Sequence, residues 1–178
     1  MIKRLIQKII EAISLKYEIY KIYKTPIESP NIEDDIEIVE VGQNELEKYD
    51  KKLFKKYLPY FGEESYCYVY VINGTVAGIC FYWFGERYKE RNFIKLDSNE
   101  AKLVQIEVVE SMRGKGIAKS LIQHSTKTMH ERGFNTLYAR IWHSNKPSVK
   151  TFTKSGWLYQ KTIITVSLAK LKLKFRLP

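Results

Sequence analysis

The run Val104 to Ala118, VQIEVVESMRGKGIA, with the amphipathic stretch KSLIQHSTKTMHERG behind it, constrains the fold more than any other part of the chain. It reads as a buried strand, a loop holding two glycines, and a helix with a cationic first turn. Gly114 and Gly116 remove side chains where the chain turns, so that backbone N–H groups point outward together. The helix behind them starts with four unpaired N–H groups and about half a positive charge. Arg113, Lys115 and Lys119 add whole charges around the same spot. Strand, loop and helix N-terminus together suit a diphosphate. The spacing is not the GxxxxGK followed by Ser or Thr of a Walker loop. Gly114-Lys115-Gly116-Ile117-Ala118-Lys119 also lacks the third glycine of a dinucleotide fingerprint.

A second pattern lies downstream. Asn135 to His143 reads as a strand and is followed by NKPSVKTFTKSGW, residues 145–157. Asn145 suits a helix N-cap, Pro147 the first turn, Gly156 the helix end, and Trp157 the start of another strand. The two motifs are R-x-x-G-x-A (Arg113, Gly116, Ala118) and N-x-x-S with G-W eleven residues after the asparagine (Asn145, Ser148, Gly156, Trp157). Their order and separation resemble the GNAT superfamily of acyl-CoA N-acyltransferases, over roughly Ile36 to Val166.

The resemblance implies an α/β (α+β) fold: a mixed, mostly antiparallel sheet with helices on both faces and two central strands that splay apart to admit coenzyme A. It implies acetyl-CoA as the acyl-donor cosubstrate. Val108, Val109, Arg113, Gly114, Lys115, Gly116, Ile117, Ala118 and Lys119 would hold it, with Asn145 and Ser148 along the pantetheine arm. The thioester carbonyl would be polarised by the backbone N–H of Val108 or Val109, and Glu107 is the candidate base. Glu107 reads equally well as a solvent-facing charge, since a carboxylate in an apolar strand needs either a task or water. The chain departs from the family at Phe152, where a tyrosine commonly protonates the departing thiolate. Tyr138, His143, Tyr159 or solvent would have to act instead. The expected reaction is N-acetylation of a primary amine on a small acceptor, foremost an amino sugar, free or nucleotide-linked. A protein lysine or N-terminal amine is the second reading, and a non-catalytic acyl-CoA-binding module the third. The aromatic run CFYWFG ahead of the central strand is similar to GNAT proteins of bacterial surface-polysaccharide synthesis. Its rings serve either core packing or stacking on a flat substrate.

Thirty Lys and Arg against 20 Asp and Glu leave a net charge of +10, which favours anionic partners. No basic stripe interleaved with aromatics suggests nucleic acid, and no metal-ligand spacing is present. The two cysteines, Cys67 and Cys80, flank the turn signal Asn73-Gly74. A plain hairpin register sets Val71 opposite Val76 and Cys67 opposite Cys80, so a cross-strand disulfide or two buried thiols would both fit, the thiols better. Residues 1–14 place Ile2, Leu5, Ile6, Ile9, Ile10 and Ile13 at helical spacing among basic residues. No apolar run there is long enough to span a bilayer. Such a helix suits self-packing, a homodimer contact or the surface of a membrane. The expected division is therefore residues 1–30, an N-terminal amphipathic helix and acidic Pro-containing linker, and residues 31–178, the acyltransferase domain. The expected location is the cytoplasm, with the inner membrane face as the variant that the helix would permit.

Overall fold

A computed structural model describes residues 15–25, 38–91, 94–168 and 171–177. The amphipathic segment 1–14 and most of the linker lie outside them. Among the described residues, no helix is long and apolar enough to cross a membrane.

Eight strands form one sheet, in the order β2-β3-β4-β5-β6-β1-β7-β8. They are β1 Leu15–Lys24, β2 Ile38–Glu40, β3 Ser65–Ile72, β4 Thr75–Trp83, β5 Glu100–Val108, β6 Thr136–Trp142, β7 Leu158–Leu168 and β8 Leu171–Leu177. Every pairing is antiparallel except that of β5 with β6. A parallel pair needs a crossover, and helix α3, Ile117–Glu131, supplies it. The other helices are α1 Gln43–Tyr49, α2 Lys51–Tyr57 and α4 Lys146–Lys154.

The helical periodicity of 44–57 yields two short helices rather than one. Asp50 takes an extended conformation, and its carboxylate accepts from the N–H groups of Lys52 and Leu53 at 2.8 and 2.9 Å. It thereby caps α2 and breaks the run. Helices α3 and α4 cover one face, burying Tyr68, Cys80, Tyr82, Leu121, Ile122, Phe152 and Trp157 together. The first two helices cover the other face over Val69, Ile79 and Phe81, through Leu46 and Tyr57. Buried polar groups are paired across these layers: Tyr82 Oη with Ser125 Oγ at 3.0 Å, and Trp157 Nε1–H donating to Thr126 Oγ1 at 3.2 Å.

Two expectations change, and a third question left open is decided. A division at residue 30 does not follow the sheet, because β1 lies inside it, paired with β6 on one side and β7 on the other. Its sequence, LKYEIYKIYK, buries Ile22 and Tyr23. Second, the β3–β4 hairpin turns at Asn73-Gly74, with positive φ of 50° and 72°, and pairs Val71 with Val76 as expected. Ala77 is then an extra residue in β4, and Tyr70 pairs with Gly78. One inserted residue flips everything beyond it to the other face. Cys67 therefore faces the α1/α2 side and Cys80 the α3 side, which rules out the cross-strand disulfide. Both are free buried thiols, and burial pushes the Cys80 thiol up to about 12. Third, the aromatic run is core: Phe81, Tyr82 and Trp83 are at most 2% exposed. Trp83 Nε1–H donates to Tyr60 O at 2.9 Å, and the Arg87 guanidinium lies 4.7 Å over its ring.

Candidate active site

The site is opened by a defect in β5. This strand pairs with β6 only from Glu100↔Thr136 to Leu103↔Ala139. At that level Phe81 lies opposite Gln105 while Tyr82 lies opposite Leu103, so Val104 is one residue too many for β4. A bulge bends and over-twists its strand, and here it turns β5 away from β6. Strand β6 stays with β1 as far as Tyr20↔Trp142. The result is a gap in the middle of the sheet. It forms a cavity of about 180 Å³ between Leu103–Ile106 and Ala139–Trp142, with Asn145, Ser148 and Phe152 above it. Ile106, Ser148 and Phe152 also line a larger cleft of about 540 Å³ between α3 and α4, so the two adjoin.

The cleft begins at the glycine loop. Gly114 and Gly116 have φ of 81° and 82°, a region that side chains rarely adopt. A Cβ added at either meets nothing within 4 Å. The glycines thus set the backbone and leave an open cradle, into which the first turn of α3 points its N–H groups. Arg113 Nε donates back to Val108 O at 3.2 Å, closing the loop onto the strand. A third glycine seats the helix. A Cβ on Gly78 would stand 3.1 Å from Ile117 Cγ2 and 3.5 Å from Leu121 Cδ2. Gly78→Val is expected to lift the start of α3, lower stability by about 1–3 kcal/mol and weaken ligand binding in the cleft. Thermal melts and calorimetric titration measure both effects.

The expected site residues largely meet here. Glu107, Val108, Arg113, Gly114, Gly116, Ile117, Ala118, Lys119 and Ser148 line the cleft, and Asn145 lines the gap. Asn145 caps α4, its Oδ1 accepting from Ser148 N–H at 3.2 Å. Lys115 is not among the lining residues; its Nζ lies 3.6 Å from Met112 Sδ. The role expected for Val109 is corrected: its N–H donates to Ala77 O at 2.9 Å and is spent. Alternation along an antiparallel strand then directs the N–H of Val108 at the opposite edge, toward the gap that β6 has left. Phe152 stands where expected, 2% exposed and edge-on to Trp157 at 5.0 Å.

Neither Tyr138, His143 nor Tyr159 lines the cleft or the gap. Tyr138 Oη donates to Glu100 at 3.0 Å, and burial raises its hydroxyl to about 12. His143 Nδ1 lies 3.2 Å from Ile19 O, and Tyr159 Oη 2.8 Å from Thr162 Oγ1.

Glu107 has partners that the sequence did not reveal. Lys56 Nζ lies 2.6 and 2.7 Å from its two oxygens, and Tyr57 Oη donates to it at 2.6 Å. The Lys56 hydrogen bond, then that of Tyr57, holds the carboxyl below its ordinary range. Burial pushes the Tyr57 hydroxyl up to about 12, so it stays a donor. With half of Lys56 exposed, the ion pair itself contributes under about 1 kcal/mol. Lys150 and Lys154 were also missed; they line the cleft from one face of α4 and join Arg113 and Lys119 in a cationic rim. Their spacing of four in a helix was the available signal.

The comparisons with known proteins agree with this geometry. The model of the acetyltransferase (GNAT) family matches residues 16–157. The Bacillus subtilis protein YwnH, named provisionally a phosphinothricin acetyltransferase, is 37% identical over 59 residues, 33% of this chain and 36% of its own. A GNAT-family acetyltransferase from Colwellia psychrerythraea superposes with a TM-score of 0.62 at 17% identity, over 93% of this chain and 57% of that one. The aminoglycoside N-acetyltransferase AAC(6')-Iy, solved with CoA, has a TM-score of 0.51 at 20% identity, over 67% of this chain and 90% of that one. At such identities the structures attest the fold alone. The chain thus spans about a third of the curated relative and less than two thirds of the Colwellia protein. The family model covers most of the sequence, from the interior strand β1 to Trp157 behind the cleft, and the chain belongs to the acetyltransferase (GNAT) family.

Proposed function

We propose that the protein transfers an acetyl group from acetyl-CoA to the primary amine of a small acceptor. The observation that carries the reading is the gap between β5 and β6. It adjoins a cleft lined both by the glycine loop, a cradle of backbone N–H groups, and by Glu107, a carboxylate paired with Lys56. Acetyl-CoA supplies the acyl group already activated as a thioester. The glycine loop, Lys119, Lys150 and Lys154 offset phosphate charge, and the Val108 N–H stabilises negative charge growing on the carbonyl oxygen. Glu107 anchors the acceptor ammonium, which must displace Lys56. A carboxyl held below its ordinary range is a weak final proton acceptor, so the proton passes on to water. With Phe152 at the usual tyrosine position, the thiolate is also protonated by solvent, which its moderate basicity permits.

Among acceptors, amino sugars remain the first class to test, free or nucleotide-linked. The support differs from that expected, because Phe81, Tyr82 and Trp83 of the CFYWFG run are buried and Phe84 is partly buried against the core, whereas Trp142 is exposed beside the gap. The test is thiol release from acetyl-CoA against amino sugars, amino acids, polyamines, aminoglycosides and peptides. Turnover of peptides alone would favour a protein acceptor. Glu107→Gln is expected to lower kcat/KM about a hundredfold. In the wild type, Glu107 is ionised above its lowered pKa and loses activity only as pH falls through it. Any rise of rate between about pH 6 and 9 then follows the acceptor ammonium and persists in the variant. A wild-type acid limb near neutrality, absent from Glu107→Gln, would contradict this assignment.

A further inference from the structure

Helix α2 carries Lys51, Lys52, Lys55 and Lys56 within its seven residues, all of them exposed. Lys56 stands out by where its ammonium is held. The Nζ crosses the Tyr57 ring, 5.1 Å from its centroid, and lies 2.6 and 2.7 Å from the two oxygens of Glu107. Tyr57 fixes the arrangement from below. Its ring is buried against Phe81, and its hydroxyl donates to the same carboxylate at 2.6 Å. Burial of that ring anchors α2 on the sheet and brings its neighbour Lys56 to Glu107.

The position matters because of what the carboxylate is for. In the acetyl-transfer reading, Glu107 anchors the ammonium of the acceptor beside a thioester whose carbonyl meets the Val108 N–H. Glu107 and Val108 are consecutive in β5, and both line the cleft. Lys56 is a primary amine already on that anchor, and a flexible four-carbon stem joins it to the protein. An amine held beside an activated acyl group attacks it in an effectively unimolecular step. A free acceptor must first displace Lys56. Lys56 itself has only to lose a proton.

We propose that the protein acetylates its own Lys56 when acetyl-CoA is bound and no acceptor occupies Glu107. The inference rests on the acetyl-transfer reading and adds a modification site to it. The Lys56 ammonium gives a proton to water, and the Nζ lone pair forms a bond to the acetyl carbonyl carbon. The C–S bond breaks with its electron pair on sulfur, and the thiolate takes a proton from solvent. Acetyl-CoA and lysine thus become CoA and acetyl-lysine. The hydrogen bond to Glu107 raises the pKa of Lys56, so little free amine is present and the step is slow. Acetylation removes the charge, and Glu107 loses its cation.

The experiment incubates the full chain, checked by mass to be unmodified, with acetyl-CoA and no added amine. It follows thiol release and maps the acetyl groups by mass spectrometry of peptides. A burst of thiol equivalent to the protein present is expected, with Lys56 acetylated at least about tenfold faster than Lys51, Lys52 or Lys55. The rate constant should not change with protein concentration, as an intramolecular step requires. Lys56→Arg should remove the burst, and Glu107→Ala should bring Lys56 down to the rate of Lys55. Gly116→Asp should leave Lys56 unmodified, whereas acetylation by acetyl-CoA free in solution would continue in it. Equal modification of the α2 lysines, a rate constant that rises with protein concentration, or undiminished modification in Gly116→Asp would each overturn the inference. So would a protein that binds acetyl-CoA, or acetylates an added amine, and leaves Lys56 unmodified. Failure to bind acetyl-CoA at all would overturn the acetyl-transfer reading itself.

Discussion

Gly116→Asp abolishes measurable acetyl-CoA binding, with a loss of at least about a hundredfold, or roughly 3 kcal/mol. Two effects add. At φ 82° any side chain is strained, by about 1–2 kcal/mol for an ordinary residue and less for Asp. The larger effect is charge: the added carboxylate projects from the start of α3 into the open cradle, where a diphosphate would be held. Gly116→Ala separates the two, because it carries the strain without the charge. It should retain weakened binding. Since nothing lies within 4 Å of the added Cβ, neither variant disturbs the core, and their melting temperatures should stay within a few degrees of the parent. Calorimetric titration beside a thermal melt reads both quantities. Retained affinity in Gly116→Asp would place the diphosphate elsewhere.

Trp157→Ala has the largest expected effect on stability, about 3–5 kcal/mol. The indole is 2% exposed, donates to Thr126 on α3 and stacks edge-on against Phe152 on α4. Its removal leaves a cavity between two helices and takes away the N–H that Thr126 Oγ1 accepts from. For a chain of this size the melting temperature should fall by about 10 °C. Phe152 lines both the cleft and the gap, so the remaining folded protein should also bind acetyl-CoA more weakly. Trp157→Phe keeps most of the apolar volume and should recover more than half of the loss. A melt unchanged by Trp157→Ala would mean that α4 is not anchored through this residue.

What the sequence made legible was local chemistry. A glycine at positive φ, an asparagine cap and an Asn-Gly turn each act within a few residues, so the loop, the cap of α4 and the β3–β4 turn could be read directly. The defects that shape the site could not. The extra residues at Ala77 and Val104 are set by how twisted strands fit their neighbours, and nothing in VAG or LVQ announces them. Yet the first separates Cys67 from Cys80, and the second opens the gap. Strand β1 was hidden because a lysine- and tyrosine-rich alternation next to an amphipathic segment reads as an extension until β6 and β7 flank it. Glu107 could be suspected as a carboxylate in an apolar strand. Its partners Lys56 and Tyr57 lie about fifty residues away and meet it only through the packing of α2 on the sheet. The choice between Val108 and Val109 stayed open in the sequence, because the strand end was legible but its hydrogen-bond phase, which commits the Val109 N–H to Ala77, was not.

The most direct test of the account is a crystal structure of the protein with a non-hydrolysable thioether analogue of acetyl-CoA. The diphosphate is expected on the N–H groups of the 114–119 loop and the pantetheine arm between β5 and β6. The acyl carbonyl oxygen should lie about 2.9 Å from the Val108 nitrogen. A diphosphate bound away from that loop, or a carbonyl directed at another donor, would contradict it.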